Sequence, residues 1–121
     1  MSLVKSDVLI IGTGVAGLSC AIKLAMKRPD ISITLVSKTT ITETNTSWAQ
    51  GGIATVWDFE DDNFDLHIED TLDAGDGLCD KEIVRLVIEE GHTRVKELIE
   101  WGASFSKMEN GAYDLGKEGA A

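Results

Sequence analysis

Hydrophobic positions in the first third of the chain change their spacing in a regular order, and this order predicts the local elements. Residues Asp7 to Ile11 form a short, almost continuous apolar run, which is typical of a buried parallel strand. From Val15 to Lys27 the apolar residues recur at helical spacing, and Arg28-Pro29-Asp30 ends that pattern. The β-branched run from Ile31 to Val36 predicts a second strand. Strand, glycine-rich turn, helix and strand in this order predict a βαβ unit.

The segment from Ser37 to Gly52 has no hydrophobic period and is rich in polar residues. It is predicted to be a loop without secondary structure, and loops of this length are usually functional or disordered. The following residues, Ile53 to Val56, are predicted to form a short strand.

Helical spacing dominates the second half of the chain. Asn63 is predicted to cap a helix that ends near Gly75, and Asp80 is predicted to cap the next one. Gly91 is expected to interrupt that helix, so Thr93–Trp101 is predicted as a separate helix. The predicted fold class is therefore α/β, with a Rossmann-like βαβ start followed by helices.

Composition agrees with an ordinary globular domain. The chain has 121 residues, of which 43% are hydrophobic and 26% are charged. No apolar run approaches the roughly 20 residues of a membrane-spanning helix, and no signal peptide is readable. Cys20 and Cys79 fit a reduced intracellular chain, so we expect a cytoplasmic protein with no metal site. His67 and His92 are predicted to be structural, with His92 exposed.

Charge restricts the classes of partner. The formal net charge is −10, and residues 42–90 hold fourteen acidic residues against two basic ones. Residues 1–41 instead hold five basic residues and two acidic ones. A strongly acidic surface repels nucleic acid and anionic membranes, so neither is expected as a partner.

A glycine motif lies between the first predicted strand and helix. Gly12, Gly14 and Gly17 match the G-x-G-x-x-G pattern of dinucleotide-binding proteins. These glycines permit a tight turn, close approach to a pyrophosphate, and close packing of helix on strand. The helix N-terminus then offers unpaired N–H groups and a positive dipole end to the anion. The predicted cofactor-binding residues of this turn are Gly12, Thr13, Gly14, Val15, Ala16 and Gly17.

The end of the second predicted strand departs from the usual pattern. An Asp or Glu is expected about 20 residues after the glycines, where it binds the ribose hydroxyls. Ser37 and Lys38 occupy that place instead. Lys38 could meet a 2′-phosphate, serve a different dinucleotide, or be a solvated surface residue.

The next segment carries a family resemblance. The residues from Thr44 to Gly52 resemble the flavin loop of the fumarate reductase/succinate dehydrogenase flavoprotein family. Ile11-Gly12, Ser37-Lys38 and the run from Ala49 to Ala54 also match that family in order. Further matches resemble the aspartate-oxidising members of the family; they are Thr42-Glu43, His67, Asp70-Thr71-Leu72, Ala74-Gly75, Leu78-Cys79-Asp80 and Lys117-Glu118-Gly119. The resemblance spans essentially the whole chain.

FAD is the cofactor that the resemblance implies. Main-chain donors near the ring suit the charge that a reduced flavin gathers, and Gly51-Gly52 lets the backbone approach closely. Asn45 stands where quinol-coupled members carry a histidine bonded covalently to the flavin, so the resemblance implies non-covalent FAD. The cofactor-binding residues expected after the second strand are Ser37, Lys38, Asn45, Thr46, Ser47, Trp48, Ala49, Gln50, Gly51 and Gly52.

Activity is likewise inferred from the resemblance. It implies oxidation of L-aspartate to iminoaspartate for NAD biosynthesis, with oxygen or fumarate as acceptor and quinolinate synthase as a possible partner. Glu118 would help to orient the substrate. Residues 1–121 would be the N-terminal part of an incomplete FAD-binding domain, without the capping and C-terminal helical domains, and inactive alone. The alternatives are a soluble fumarate reductase or succinate dehydrogenase-like flavoprotein, and a non-catalytic dinucleotide-binding module.

Overall fold

The computed structural model of the chain describes residues 3–40, 43–49, 51–60 and 62–116. The chain divides into two compact units, Met1–Gly51 and Gly52–Ala121, and each is described here by itself.

The first unit contains the predicted βαβ arrangement. Strand β1 covers Val8–Ile11, helix α1 covers Val15–Lys27, and strand β2 covers Ile33–Val36. The two strands pair in parallel, with Val8 opposite Ile33 and Ile11 opposite Val36. The prediction of a parallel strand–helix–strand start is thus confirmed.

Strand β2 begins two residues later than predicted, because Ser32 is engaged by Asp7. The carboxylate Oδ2 of Asp7 accepts hydrogen bonds from Ser32 N at 2.8 Å and Ser32 Oγ at 2.7 Å. Asp7 N donates in return to Ser32 Oγ at 3.0 Å. These bonds lower the pKa of the Asp7 carboxyl, and the Ser32 backbone N–H is the largest cause. This set of hydrogen bonds, the Asp7 clamp, joins the residues that directly precede β1 and β2 and lies outside the paired residues of the sheet.

Burial in β1 alternates, so the expectation of a strand buried on both faces is wrong. Ile10 lies against α1, where its Cγ2 would be 3.5 Å from a Cβ placed on Gly17. Leu9 is 57% exposed and Ile11 is 83% exposed. Successive side chains of a strand point to opposite faces, and α1 covers the face that carries Ile10.

The second unit is built on two packed helices. Helix α3 covers Phe64–Ala74 and helix α4 covers Lys81–Glu100 (the short helix α2 of the first unit is described with the candidate site). Both predicted caps are confirmed: Asn63 Oδ1 accepts from Leu66 N at 2.9 Å, and Asp80 Oδ1 accepts from Glu82 N at 3.0 Å. Among the described residues, the buried hydrophobic side chains all belong to this unit: Val56, Ile68, Ile88 and Val95.

Helix α4 runs continuously through Gly91, so the predicted interruption is wrong. A Cβ placed on Gly91 would lie 3.0 Å from Thr55 Oγ1. The glycine therefore serves the close approach of the segment before α3 and does not end the helix. Gly102, with φ of +99°, terminates α4, and Ala103 N donates to Leu98 O at 2.9 Å in the hydrogen-bond pattern of a Schellman cap.

The predicted strand at Ile53–Val56 is absent, since none of these described residues belongs to a strand. The carbonyl oxygen of Val56 instead accepts a hydrogen bond at 3.1 Å from Nδ1 of His92 on α4. His92 is therefore half-buried and not exposed, and its ring lies 4.8 Å from that of Trp57. A structural role for His92 agrees with these contacts.

Candidate dinucleotide site

The turn between β1 and α1 depends on its first glycine. Gly12 has φ of +110°, which residues with a Cβ rarely adopt, and its N–H donates to Val36 O at 2.8 Å. The turn thus leaves β1 while it remains bonded to the end of β2.

The third glycine brings α1 close to the turn. A Cβ on Gly17 would overlap the carbonyl oxygen of Gly12. Neither atom could move aside, because the oxygen belongs to the backbone and a Cβ is bonded directly to the backbone Cα. Only glycine fits at this contact. The geometry therefore agrees with the packing role that the motif assigns to its third glycine.

The N-terminus of α1 is free of negative side chains. Gly14 is its N-cap and supplies no side-chain hydrogen bond, and the first turn contains no acidic residue. The N–H groups of Ala16 and Gly17 in this turn have no acceptor within the helix. This arrangement suits a phosphate group.

The second loop contains a turn of helix that the sequence analysis did not predict. Helix α2 covers Asn45–Trp48, and the Oγ1 of its N-cap Thr44 accepts from Ser47 N at 3.1 Å. The two hydroxyl oxygens of Thr44 and Ser47 also lie 3.0 Å apart. The capping preference of threonine was the available signal, and a single turn is too short to show a hydrophobic period.

Thr46 brings α2 to the glycine-rich turn. Its Oγ1 accepts a hydrogen bond from the Val15 N–H at 3.1 Å. The same oxygen would lie 3.4 Å from a Cβ on Gly14. The structure thus joins two segments that were predicted separately as cofactor-binding.

The remaining predicted residues take different positions. Asn45, Ser47, Trp48 and Ala49 are exposed, and Trp48 is 77% exposed. Gly51 has φ of +109°, and Gly52 begins the second unit. Gln50 and Glu118 lie outside the described residues.

Ser37 and Lys38 directly follow β2, as the sequence predicts. Ser37 is half-buried and its hydroxyl donates to the carbonyl oxygen of Thr39, while Lys38 is exposed.

Thr13 tests whether the turn fits a bound cofactor. The residue is 5% exposed, and its Oγ1 has no hydrogen-bond partner among the described residues. Buried hydroxyl groups normally have a partner. An unused hydroxyl, a cap without a side chain and unpaired N–H groups together fit a turn that binds a polar, anionic group.

The described ranges 3–40, 43–49, 51–60 and 62–116 contain no helix long and apolar enough to cross a membrane. They also contain no group of three or more His, Cys, Asp and Glu residues arranged to hold a metal ion.

Comparison with known families identifies the class of this domain. The profile of the family described as "FAD binding domain" matches residues 7–121. The chain belongs to this family, and the cofactor of its site is FAD.

Similar curated proteins include several L-aspartate oxidases. The enzyme of Yersinia pestis is 47% identical over 118 residues, which cover 94% of this chain and 21% of that protein. The chloroplastic L-aspartate oxidase of Oryza sativa subsp. japonica is 43% identical over 113 residues, covering 93% and 17%. The chain thus spans about a fifth of the length of these relatives.

Similar solved structures include quinol fumarate reductases. A variant of the E. coli quinol fumarate reductase subunit FrdA has a TM-score of 0.83 at 33% identity, covering 94% of this chain and 19% of that one. A quinol-fumarate reductase with menaquinol molecules has a TM-score of 0.84 at 32% identity, covering 97% and 20%. The predicted α/β fold, the family resemblance and FAD as cofactor are confirmed by these comparisons.

Proposed function

We propose that this chain is the N-terminal FAD-binding segment of an L-aspartate oxidase, which oxidises L-aspartate to iminoaspartate. The observation that carries the proposal is 38–47% identity to several L-aspartate oxidases across nearly the whole chain. The glycine-rich turn and the α2 loop that Thr46 joins to it support the assignment.

The predicted cofactor-binding residues divide the parts of FAD between them. Residues 12–17 and the N-terminus of α1 would hold the pyrophosphate, while residues 45–52 would contact the flavin and ribityl parts. FAD, when bound, supplies a two-electron acceptor for the substrate. The chain's own part is to position the cofactor and to neutralise the phosphates through backbone N–H groups.

Non-covalent attachment is part of the proposal. Asn45 is exposed on α2, and its neutral amide lacks the nucleophilic ring nitrogen through which a histidine would bond to the flavin. Precipitation of the holoprotein with acid should therefore release all of the flavin into the supernatant. Yellow colour retained in the washed pellet would contradict a non-covalent site.

Substrate chemistry requires more chain than these residues. We infer that Glu118 orients the substrate and that the other catalytic groups belong to the larger part of the relatives that this segment does not match. The overall reaction removes two electrons and two protons from L-aspartate. Oxygen would accept them to give hydrogen peroxide, or fumarate would accept them to give succinate.

Peroxide release is the direct test. The 121-residue chain with added FAD should release no peroxide from L-aspartate, whereas the full-length protein that carries this segment should release it. Peroxide formed by the 121-residue chain would contradict the proposed division of the site. Failure of the full-length protein to oxidise L-aspartate with either oxygen or fumarate as acceptor would contradict the proposed activity.

A fumarate reductase or succinate dehydrogenase-like flavoprotein is the second candidate. The TM-scores of 0.83 and 0.84 to quinol fumarate reductases favour it at the level of fold. Comparison of L-aspartate, succinate and fumarate as substrates of the full-length protein separates the two functions. A non-catalytic module would bind FAD but turn over none of them.

The cellular setting completes the proposal. This protein would act in the cytoplasm and pass iminoaspartate to quinolinate synthase for NAD biosynthesis. A strain that lacks the full-length gene product should then require an exogenous pyridine compound for growth.

A further inference from the structure

One hydrogen bond connects the two halves of the candidate site. Thr46 Oγ1 on α2 accepts from Val15 N at the first position of α1, and the two residues are 31 positions apart in the chain. The side chain that caps α1 therefore comes from another segment, because its own N-cap is Gly14.

We propose that Thr46 is a positioning residue, which holds the flavin-contacting loop against the phosphate-binding turn before the cofactor binds. This proposal rests on the proposed FAD site of the first unit. Thr46 acts through α1 and α2 and need not touch the phosphates.

The short length of α2 explains why such a tie is needed. A helix of four residues is unstable in isolation, since helix nucleation is costly. Thr44 caps α2 from within the loop, but this bond does not fix where the helix lies. The Thr46–Val15 bond fixes that position, with Thr46 Oγ1 directly against Gly14.

This geometry predicts unequal effects on two ligands. FAD spans both segments, whereas ADP needs only the phosphate-binding turn and the end of β2. Loss of the Thr46 hydroxyl would release the loop and also free the Val15 N–H for an anion. Thr46→Val should therefore weaken FAD binding but leave ADP binding unchanged or slightly stronger.

The experiment compares Thr46→Val, Thr46→Ser and a matched control in the full-length protein after removal of its flavin. Ser19→Ala is the control, because the Ser19 hydroxyl also bonds Val15 but donates to its carbonyl oxygen from within α1, at 2.6 Å. Titration calorimetry gives the Kd values of FAD and ADP. Hydrogen exchange of the Val15 amide is measured without ligand.

The expected result is a roughly three- to tenfold rise in the FAD Kd for Thr46→Val, which corresponds to one net hydrogen bond. The Kd of ADP should change less than about twofold, within the range of a neutral substitution. The Val15 amide should exchange faster in this variant alone, and Thr46→Ser should behave as the unchanged protein.

Three results would overturn the proposal. A parallel loss of FAD and ADP affinity would make Thr46 a direct phosphate ligand, and unchanged FAD affinity would remove its role. Unchanged exchange at Val15 would show that the hydrogen bond is not formed. All three are independent of turnover, so a lack of aspartate oxidation would contradict the proposed function and leave this inference to be judged separately.

Discussion

Thr13 and Asp7 of the first unit differ in whether their polar side-chain atoms have hydrogen-bond partners. The Thr13 hydroxyl is buried without a partner among the described residues, while the Asp7 carboxylate receives two hydrogen bonds from Ser32. Buried, unpaired polar groups destabilise a fold, and hydrogen bonds to a carboxylate stabilise its charged form. Each residue therefore leads to a distinct measurement.

Replacement of Thr13 should reveal the cost of its unpaired hydroxyl. Thr13→Val preserves the shape of the side chain and removes the polar atom, so we expect the cofactor-free protein to gain about 1 kcal/mol in free energy of unfolding. Urea denaturation measures this gain. Thr13→Ser, which retains the hydroxyl, should show no gain, and equal or lower stability of the valine variant would contradict the interpretation.

The Asp7 clamp should make stability depend on pH in the acidic range. The folded state lowers the pKa of Asp7, so its stabilising contribution is present above the unfolded pKa of about 3.9 and is lost as pH falls through the folded pKa. The stability difference between the unchanged protein and Asp7→Asn should therefore shrink on acidification. Urea midpoints measured from about pH 6 to pH 2 test this expectation.

Ser32→Ala is the matched control for that experiment. It removes the hydroxyl donor but retains the backbone N–H that is the largest cause of the lowered pKa. The variant should keep part of the pH dependence. A profile identical to that of Asp7→Asn would show that the hydroxyl alone carries the effect.

Helix α4 illustrates how neighbours outweigh local preference. Glycine costs about 1 kcal/mol relative to alanine inside a helix, which is why Gly91 looked like a break. The helix nevertheless continues, because the missing side chain leaves room for Thr55. A contact from a distant segment thus keeps a poor helix former within the element.

A double-mutant cycle tests this explanation. With Thr55 in place, Gly91→Ala should raise the free energy of unfolding only slightly or should lower it, because the added Cβ would crowd Thr55 Oγ1 at 3.0 Å. In a Thr55→Ala background the same change should stabilise by about 1 kcal/mol. Thermal or urea unfolding gives the coupling free energy between the two substitutions. Effects on the free energy of unfolding that add within about 0.3 kcal/mol would contradict the explanation.

The two units of the chain differ in core and in charge. The buried hydrophobic side chains among the described residues lie in the second unit, and β1 of the first exposes Leu9 and Ile11. Five basic and three acidic residues give the first unit a net charge of +2, whereas six basic and eighteen acidic residues give the second −12. The first unit, which would hold the phosphates, therefore has a net positive charge that favours anion binding, and fewer buried hydrophobic side chains among its described residues than the second.

Hydrogen exchange should reflect this difference. Without FAD, the amides of α3 and α4 should exchange more slowly than those of β1, β2 and α1, because local stability follows buried apolar contact. Added FAD should slow exchange chiefly in the first unit, since a ligand stabilises the state that binds it. Equal protection in both units, or slowing confined to the second, would contradict this expectation.

The successful predictions share a physical cause. The bounds of α1 and the caps Asn63 and Asp80 follow from interactions within a few residues. The parallel strand pair was predicted from the order of two strand patterns with a helical pattern between them. The glycine motif and the ordered loop matches likewise indicated the family that the comparisons confirmed. Such signals are local and therefore readable along the chain.

The failed predictions concern residues whose partners are distant in sequence. The path of residues 53–56 depends on His92, and the continuity of α4 depends on Thr55. Likewise, the turn of α2 could be capped by local residues, but its place beside the glycine motif depends on Val15.

The order of residues alone thus determined the class of fold, the family and the cofactor, because these follow from local periodicity and from motifs of fixed spacing. Tertiary structure decided that Thr46 reaches the N-terminus of α1, that Thr13 is buried without a partner and that Leu9 is exposed. Hydrogen bonding and burial depend on which segments contact each other in the folded chain, and the spacing of residues along the sequence does not specify those tertiary contacts.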